Sequence, residues 1–333
     1  MTRGNSRVGG KGDSRQRGQV RNARALLRFA VMLRAWALMA AFHGPWLHGE
    51  GAPRTAASRA ASGAVSMTMD DVERWRRFAD ELGGRFVAGE TLPIGEMKKQ
   101  LAVRRRVPVR MARAARHAME PEQVYERCAA SVVAVGSVYK CPRCPHWHTG
   151  GTATGWVLGD RGEIVSNYHV LAAGKETNVV AFGVMTLDGR CLPVREVLAS
   201  DATRDVVLFR VDGEGMKALP VGGREPVGRP VSVIAHPSGE LYTFTQGAVS
   251  RYALRAVEPG GESQEWMCVT ADFAVGSSGG PVLNRQGAVV GMVARTQTIS
   301  ANPKGETPST QMVVKMTIPS DAVLSLVEAA GRR

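Results

Sequence analysis

Ser278 stands in the stretch VGSSGGPV, residues 275–282, where three glycines, two serines and a proline separate two apolar runs. Such a composition marks a turn as readily as it marks chemistry, so the partners available elsewhere in the chain decide. A serine hydroxyl is a weak nucleophile until an imidazole removes its proton. Residues 121–333 contain four histidines: His146, His148, His169 and His236. His169 lies in GEIVSNYHVLAAG, where a strand-like run gives way to a short helical turn. Asp205, in SDATRDVVLFRV, opens a strongly apolar run, and a carboxylate there can lie beside an imidazole and fix its tautomer. Asp201 and Asp212 are its neighbouring alternatives, and His236, in IAHPSG, reads as a turn residue. The glycines fit the same chemistry. A tetrahedral oxyanion needs two backbone N–H groups aimed at one point, which Gly276 and Ser278 would supply. The set therefore points to acyl transfer, with His169 as general base, Asp205 as its orienter and Ser278 as nucleophile.

These groups need a scaffold that brings distant segments together. Twelve short runs of strand length and β-branched content follow residue 130, separated by turn signals such as GDRG, LDGR, EPGGE and NRQG. They fall into two groups of six, 131–138 to 205–211 and 230–235 to 311–318, which predicts an all-β fold of two packed six-stranded antiparallel barrels. His169 and Asp205 belong to the first group and Ser278 to the second, so the chemistry falls in the cleft between barrels. The ending SDAVLSLVEAAG predicts a C-terminal helix capped by Ser320. Ahead of the barrels, MDDVERWRRFADEL spaces Val72, Trp75, Phe78 and Leu82 as one helical face, and IGEMKKQLAVRRR predicts a second helix. The expected organisation is a leader at 1–52, a helical, basic pre-region and solvent-exposed linker at 67–120, and a main domain at 121–330.

Taken together, SNYHV, RDVVLFRV and GSSGGP resemble the TNxHV, DLAVL and GNSGGP blocks of the chymotrypsin-fold serine peptidases, in their HtrA/Deg-like branch. The resemblance runs over roughly residues 121–330. It implies a chymotrypsin-like pair of barrels and a serine endopeptidase working through an acyl-enzyme. His169, Asp205 and Ser278 would form its triad, and Gly276 and Ser278 its oxyanion hole. Nothing follows residue 333, so a PDZ domain is not expected, and Ser277 stands where that branch has Asn. A catalytically silent peptide-binding or chaperone module and an esterase are the competing functions. Asp272 lies six residues before Ser278, where trypsin-like peptidases hold the carboxylate that receives Arg or Lys. Alternatively TADFA matches the family's TDAAI, and Phe273 walls a pocket for a small apolar side chain. The run VVGMVAR, with Gly291, Met292 and Val293 at its centre, is expected to pair with an extended substrate.

Charge and cysteines bound the remaining possibilities. The net charge of +13 resides wholly in residues 1–120, which hold 23 Lys/Arg against 10 Asp/Glu, while the rest holds 20 of each. A neutral main domain without an aromatic-interleaved basic patch argues against nucleic acid as partner and leaves polypeptide substrates. The leader combines an Arg-rich lead with AWALMAAF, too short to span a membrane but matching the apolar core of a signal peptide. Export to the periplasm or outside is expected, an organellar address being the alternative; the oligomeric state is not encoded in any feature of the sequence. In CPRCPHWH, Cys141, Cys144, His146 and His148 fit either a structural zinc site or, for the thiols, a disulfide. Catalysis itself is expected to need no cofactor.

Overall fold

The computed structural model describes residues 68–103, 105–172, 178–256, 262–301 and 309–328. The expected leader at 1–52 lies outside the described residues.

Twelve strands form two closed antiparallel barrels. In the first, β1 (Val132–Lys140), β2 (Trp147–Val157), β3 (Glu163–Ser166), β4 (Val179–Met185), β5 (Cys191–Asp201) and β6 (Val206–Val211) close in the order β1-β2-β3-β6-β5-β4. In the second, β7 (Pro230–Ala235), β8 (Thr243–Ala256), β9 (Ser263–Val269), β10 (Pro281–Leu283), β11 (Val289–Ser300) and β12 (Thr310–Pro319) close as β10-β11-β12-β9-β8-β7. The two groups of six read from turn spacing are these two barrels.

Alternation along the strands explains why both faces of β1 are apolar. Val133 and Val135 point into the first barrel with Ile164, Phe182 and Phe209, whereas Val132 and Ala134 join a second cluster outside it. That outer cluster unites Trp156, Val165 and Leu208 of the first barrel with Ile234, Leu283, Met292 and Ile318 of the second. It is the seam on which the barrels pack. The second barrel's own interior holds Val231, Val249, Met267, Val282 and Val293.

The pre-region is part of this body rather than an appendage. Helix α1 (Asp71–Val87) starts at Asp70, whose side chain accepts from the Glu73 amide at 2.9 Å. It buries Phe78, Ala79 and Leu82 in the seam cluster, and the Trp75 indole donates to Gly239 O at 2.8 Å. Val72, expected on the same face, is 82% exposed and does not join it. Met97 and Leu101 of α2 (Ile94–Leu101) join the first barrel's interior. The basic segment keeps its described arginines exposed, as expected, while its backbone runs against the protein. Val107 bridges to Val327, Val109 is buried, and the Arg106 guanidinium donates to Val327 O at 2.6 Å. Helix α3 (Pro121–Cys128) then leads into β1. The expected C-terminal helix is the short α5 (Asp321–Leu324), which follows the five-residue α4 (Tyr168–Ala172) in chain order. Ser320 precedes α5 without capping it, since its hydroxyl donates instead to Gly222 O at 2.8 Å. Among the described residues no helix is long and apolar enough to cross a membrane.

Candidate active site

β3 ends at Ser166, and the chain turns through Asn167 into α4, which carries His169. Asp205 is the residue before β6. Its φ of 54° lies in the left-handed region, which Asp and Asn tolerate better than bulkier side chains. Asn167 Nδ2 holds this conformation by donating to Asp205 O at 3.0 Å. Both carboxylate oxygens then serve one residue. The His169 amide donates to Oδ1 at 2.9 Å, and His169 Nδ1 stands 2.8 Å from Oδ2. A carboxylate accepts, so Nδ1 carries the proton and Nε2 is left as the basic nitrogen. The two alternative carboxylates are engaged elsewhere. Asp201 Oδ1 accepts from the Thr203 and Arg204 amides, and Asp212 pairs with Arg195.

Ser278 is bracketed by two tight turns, closed by Ser277 N–H to Ala274 O at 3.0 Å and Gly280 N–H to Ser277 O at 2.9 Å. These turns need glycine. Gly276 has φ 92° and Gly279 φ 87°; a Cβ on Gly279 would lie 2.1 Å from Thr154 O. Among the described residues neither the Gly276 nor the Ser278 amide donates to a protein acceptor. Ser278, Gly276 and His169 line one cavity of about 200 Å³, walled by Ala153, Val179 and Phe182. No direct hydrogen bond joins Ser278 to His169, a looseness common in sites without substrate.

Thr154 was not among the residues singled out by sequence, yet it ties the barrels together at the site. From β2 its amide donates to Ser278 O at 2.8 Å, and its hydroxyl donates to Gly276 O at 3.0 Å. The same hydroxyl accepts from the His236 amide at 3.1 Å. Its TATG context carries no distinguishing signal. His236, expected in an ordinary turn, is fully buried behind this loop, and its Nδ1 accepts from the Tyr242 amide at 2.9 Å. Burial pushes its pKa down to about 3, the Val133 carbonyl pulling the other way.

The expected specificity residues lie differently. Asp272 does not line the cavity with Ser278. Its side chain is 81% exposed and bonded to Lys315 Nζ at 2.5 Å, which holds the carboxyl below its usual range. The Phe273 ring is buried in the second barrel's interior, and its carbonyl accepts from the same Lys315 at 2.5 Å. Gly291, Met292 and Val293 have strand neighbours on both sides, β10 or its preceding turn on one and β12 on the other. Their hydrogen-bonding groups are already used, so they offer no edge to a peptide. The pairing with β10 has ended by Ala294, and from there, among the described residues, only β12 flanks β11, which moves the free edge to Ala294 and beyond.

At the tip of the β1–β2 hairpin, ligand atoms of Cys141, Cys144 and His148 lie within 4.8 Å of one another, whereas His146 stays outside the set. All five cysteines are free thiols.

The profile of the trypsin-like peptidase domain matches residues 153–292, which include His169, Asp205 and Ser278. Relatives include Protease Do-like 1, chloroplastic, of Arabidopsis thaliana, 29% identical over 55% of this chain and 40% of that one. A probable periplasmic serine endoprotease DegP-like of Halomonas elongata is 27% identical over 53% of this chain and 34% of its own length. The crystal structure of Deg5 aligns with a TM-score of 0.46 at 24% identity, covering 61% of this chain and 89% of that one. The chain spans 34–56% of the length of three curated relatives it matches.

Proposed function

For a chain that carries a trypsin-like peptidase domain and has Do-like and DegP-like serine proteases as homologues, we propose serine endopeptidase activity through an acyl-enzyme. The observation that carries this reading is the double grip of Asp205 on His169, in a cavity that His169 shares with Ser278 and its unengaged amides. Ser278 Oγ attacks the scissile carbonyl while its proton passes to His169 Nε2. Asp205 keeps the Nδ1 proton in place and stabilises the imidazolium. The carbonyl oxygen, now anionic, is held by the Gly276 and Ser278 amides. Collapse expels the amine, which takes the proton from Nε2 and leaves an acyl-serine. Water, deprotonated by His169, then releases the acid and restores Ser278.

The substrate class is a polypeptide laid along the free edge of β11 from Ala294. Because Lys315 already neutralises Asp272, a small apolar residue at the cleaved position fits better than Arg or Lys. The names of the relatives, chloroplastic and periplasmic, favour export or an organellar address, in line with the basic and apolar leader.

A fluorophosphonate probe tests the nucleophile. It should label the wild-type chain and not Ser278→Ala, and that variant should lose amide hydrolysis by about 10⁴- to 10⁶-fold with its melting temperature nearly unchanged. Substantial hydrolysis by purified Ser278→Ala would end the assignment. An unlabelled, inactive wild type would favour a silent peptide-binding module, and turnover of esters without peptides an esterase.

A further inference from the structure

The hairpin that joins β1 to β2 carries a second constellation that the peptidase chemistry leaves unused. β1 and β2 pair as far as Lys140 opposite Trp147, so residues 141–146 form a short connecting loop with two prolines, Pro142 and Pro145. Each proline follows a cysteine and restricts the loop before any ligand arrives. Cys144 Sγ stands 2.9 Å from His148 Nε2, and the Arg143 amide donates to Cys141 Sγ at 3.4 Å. The His148 ring is set by stacking on Tyr139, its cross-strand neighbour, with centroids 5.3 Å apart. All three residues are partly exposed, so an ion can reach them.

We infer that Cys141, Cys144 and His148 bind one Zn²⁺ ion, with solvent in the fourth position. Two thiolates and an imidazole are soft-to-borderline donors that suit zinc over calcium or magnesium. Tetrahedral zinc with bonds of about 2.0–2.3 Å places ligand atoms roughly 3.5–3.8 Å apart. The three atoms already lie within 4.8 Å of one another, and entry of the ion only requires the Cys144–His148 contact to open slightly. Binding releases the two thiol protons to solvent, and no redox step is involved.

The site would brace the entrance of β2. Trp147, between the ligands Cys144 and His148, packs its ring so closely on Gly83 of α1 that a Cβ there would fall 2.2 Å away. Further along the same strand, Thr152 and Ala153 line the catalytic cavity, and Thr154 holds the Ser278 loop. One strand thus carries the zinc ligand His148 at its start and the anchor of the nucleophile loop six residues on.

The test uses the full chain with Ser278→Ala, so that it stands apart from the peptidase reading. Reduced, demetallated protein titrated with Co²⁺ should take up about one equivalent and show thiolate-to-cobalt charge transfer with the intense visible bands of four-coordinate cobalt. Zinc should displace it. Cys141→Ser combined with Cys144→Ser should abolish the bands, His148→Ala should weaken binding more than about 100-fold, and His146→Ala should leave it intact. A chelator should lower the melting temperature of the parent and leave that of the double cysteine variant unchanged, a readout valid even where a variant folds less well. Absence of cobalt bands in the reduced parent, or bands that survive the double cysteine change, would overturn the site. So would a Cys141–Cys144 disulfide in the protein as purified, seen as a peptide lighter by two hydrogens.

Discussion

Asp205 and Asp272 are both aspartates that sequence position offers to the reaction, and the fold spends them in opposite ways. Asp205 turns both oxygens onto the backbone and ring of His169, with only about a fifth of its side chain exposed. Asp272 projects to solvent and spends its charge on Lys315, a side chain that is itself mostly buried. The first carboxylate fixes an imidazole. The second pairs with a cation that a neighbouring strand presents. What a carboxylate does in this cleft is thus set by the partner that the neighbouring strand presents, more than by its distance along the chain from the nucleophile.

The sharpest way to break this contrast is Asp205→Asn. Asn tolerates the left-handed backbone at φ 54°, so the turn should survive while the ring loses its fixed tautomer. kcat on a peptide substrate should fall by about 10⁴-fold with circular dichroism unchanged. A fall of less than about tenfold would remove Asp205 from its orienting role.

That contrast also marks what was legible in the sequence. Strand alternation, turn chemistry and the SNYHV and GSSGGP blocks carry the barrels and the positions of His169, Asp205 and Ser278, because each depends on neighbours a few residues away. Lys315 lies 43 residues beyond Asp272 and meets it only because β12 runs beside β9 and β11, a pairing no local pattern encodes. The internal status of Gly291–Val293 has the same origin, since it depends on where β10 stops. The docking of α1 was legible as an apolar face, but the surface that receives it, Gly83 against Trp147 and Gly136 beneath Phe78, is assembled from separate segments. His236 looked like a turn residue because the groups around it, Thr154 of the first barrel and Tyr242 and the Ser278 loop of the second, come from separate segments.

His236 is the imidazole counterpart of the contrast: His169 has a carboxylate and a cavity, His236 has neither. With its folded pKa lowered to about 3 against an ordinary value of 6.5, the unfolded chain binds a proton that the folded chain refuses. Its stabilising contribution is complete above about pH 6.5 and is lost as pH falls from there towards 3, at up to about 1.4 kcal/mol per pH unit. His236→Asn, whose side-chain oxygen can accept from the Tyr242 amide, removes this titration. Urea unfolding at pH 7.5, 6, 5 and 4.5 should show a shallower loss of stability in the variant, by on the order of a few kcal/mol over the range. Parallel curves would mean that His236 is not held neutral by burial.

The smallest expected effect belongs to the Asp272–Lys315 pair. An ion pair with one member mostly in solvent contributes at most about 1 kcal/mol, so Asp272→Ser should barely move the melting temperature. It should also leave cleavage after small apolar residues within about threefold of wild type, since Asp272 lies outside the cavity shared by His169 and Ser278. Lys315→Met should likewise leave cleavage after Arg within about threefold of wild type, since the freed carboxylate still lies outside that cavity. The basic segment supplies an internal control. Its arginines lie along a stretch in which Val107 pairs with Val327 and Val109 is buried, so cutting between Arg105 and Arg116 requires that stretch to peel away first. Wild-type protein incubated alone should therefore stay intact, with Lys315→Met cutting itself slowly if at all. Rapid self-cleavage after an arginine in the wild type, abolished by Asp272→Ser, would show that Lys315 yields to substrate and that Asp272 selects basic residues after all.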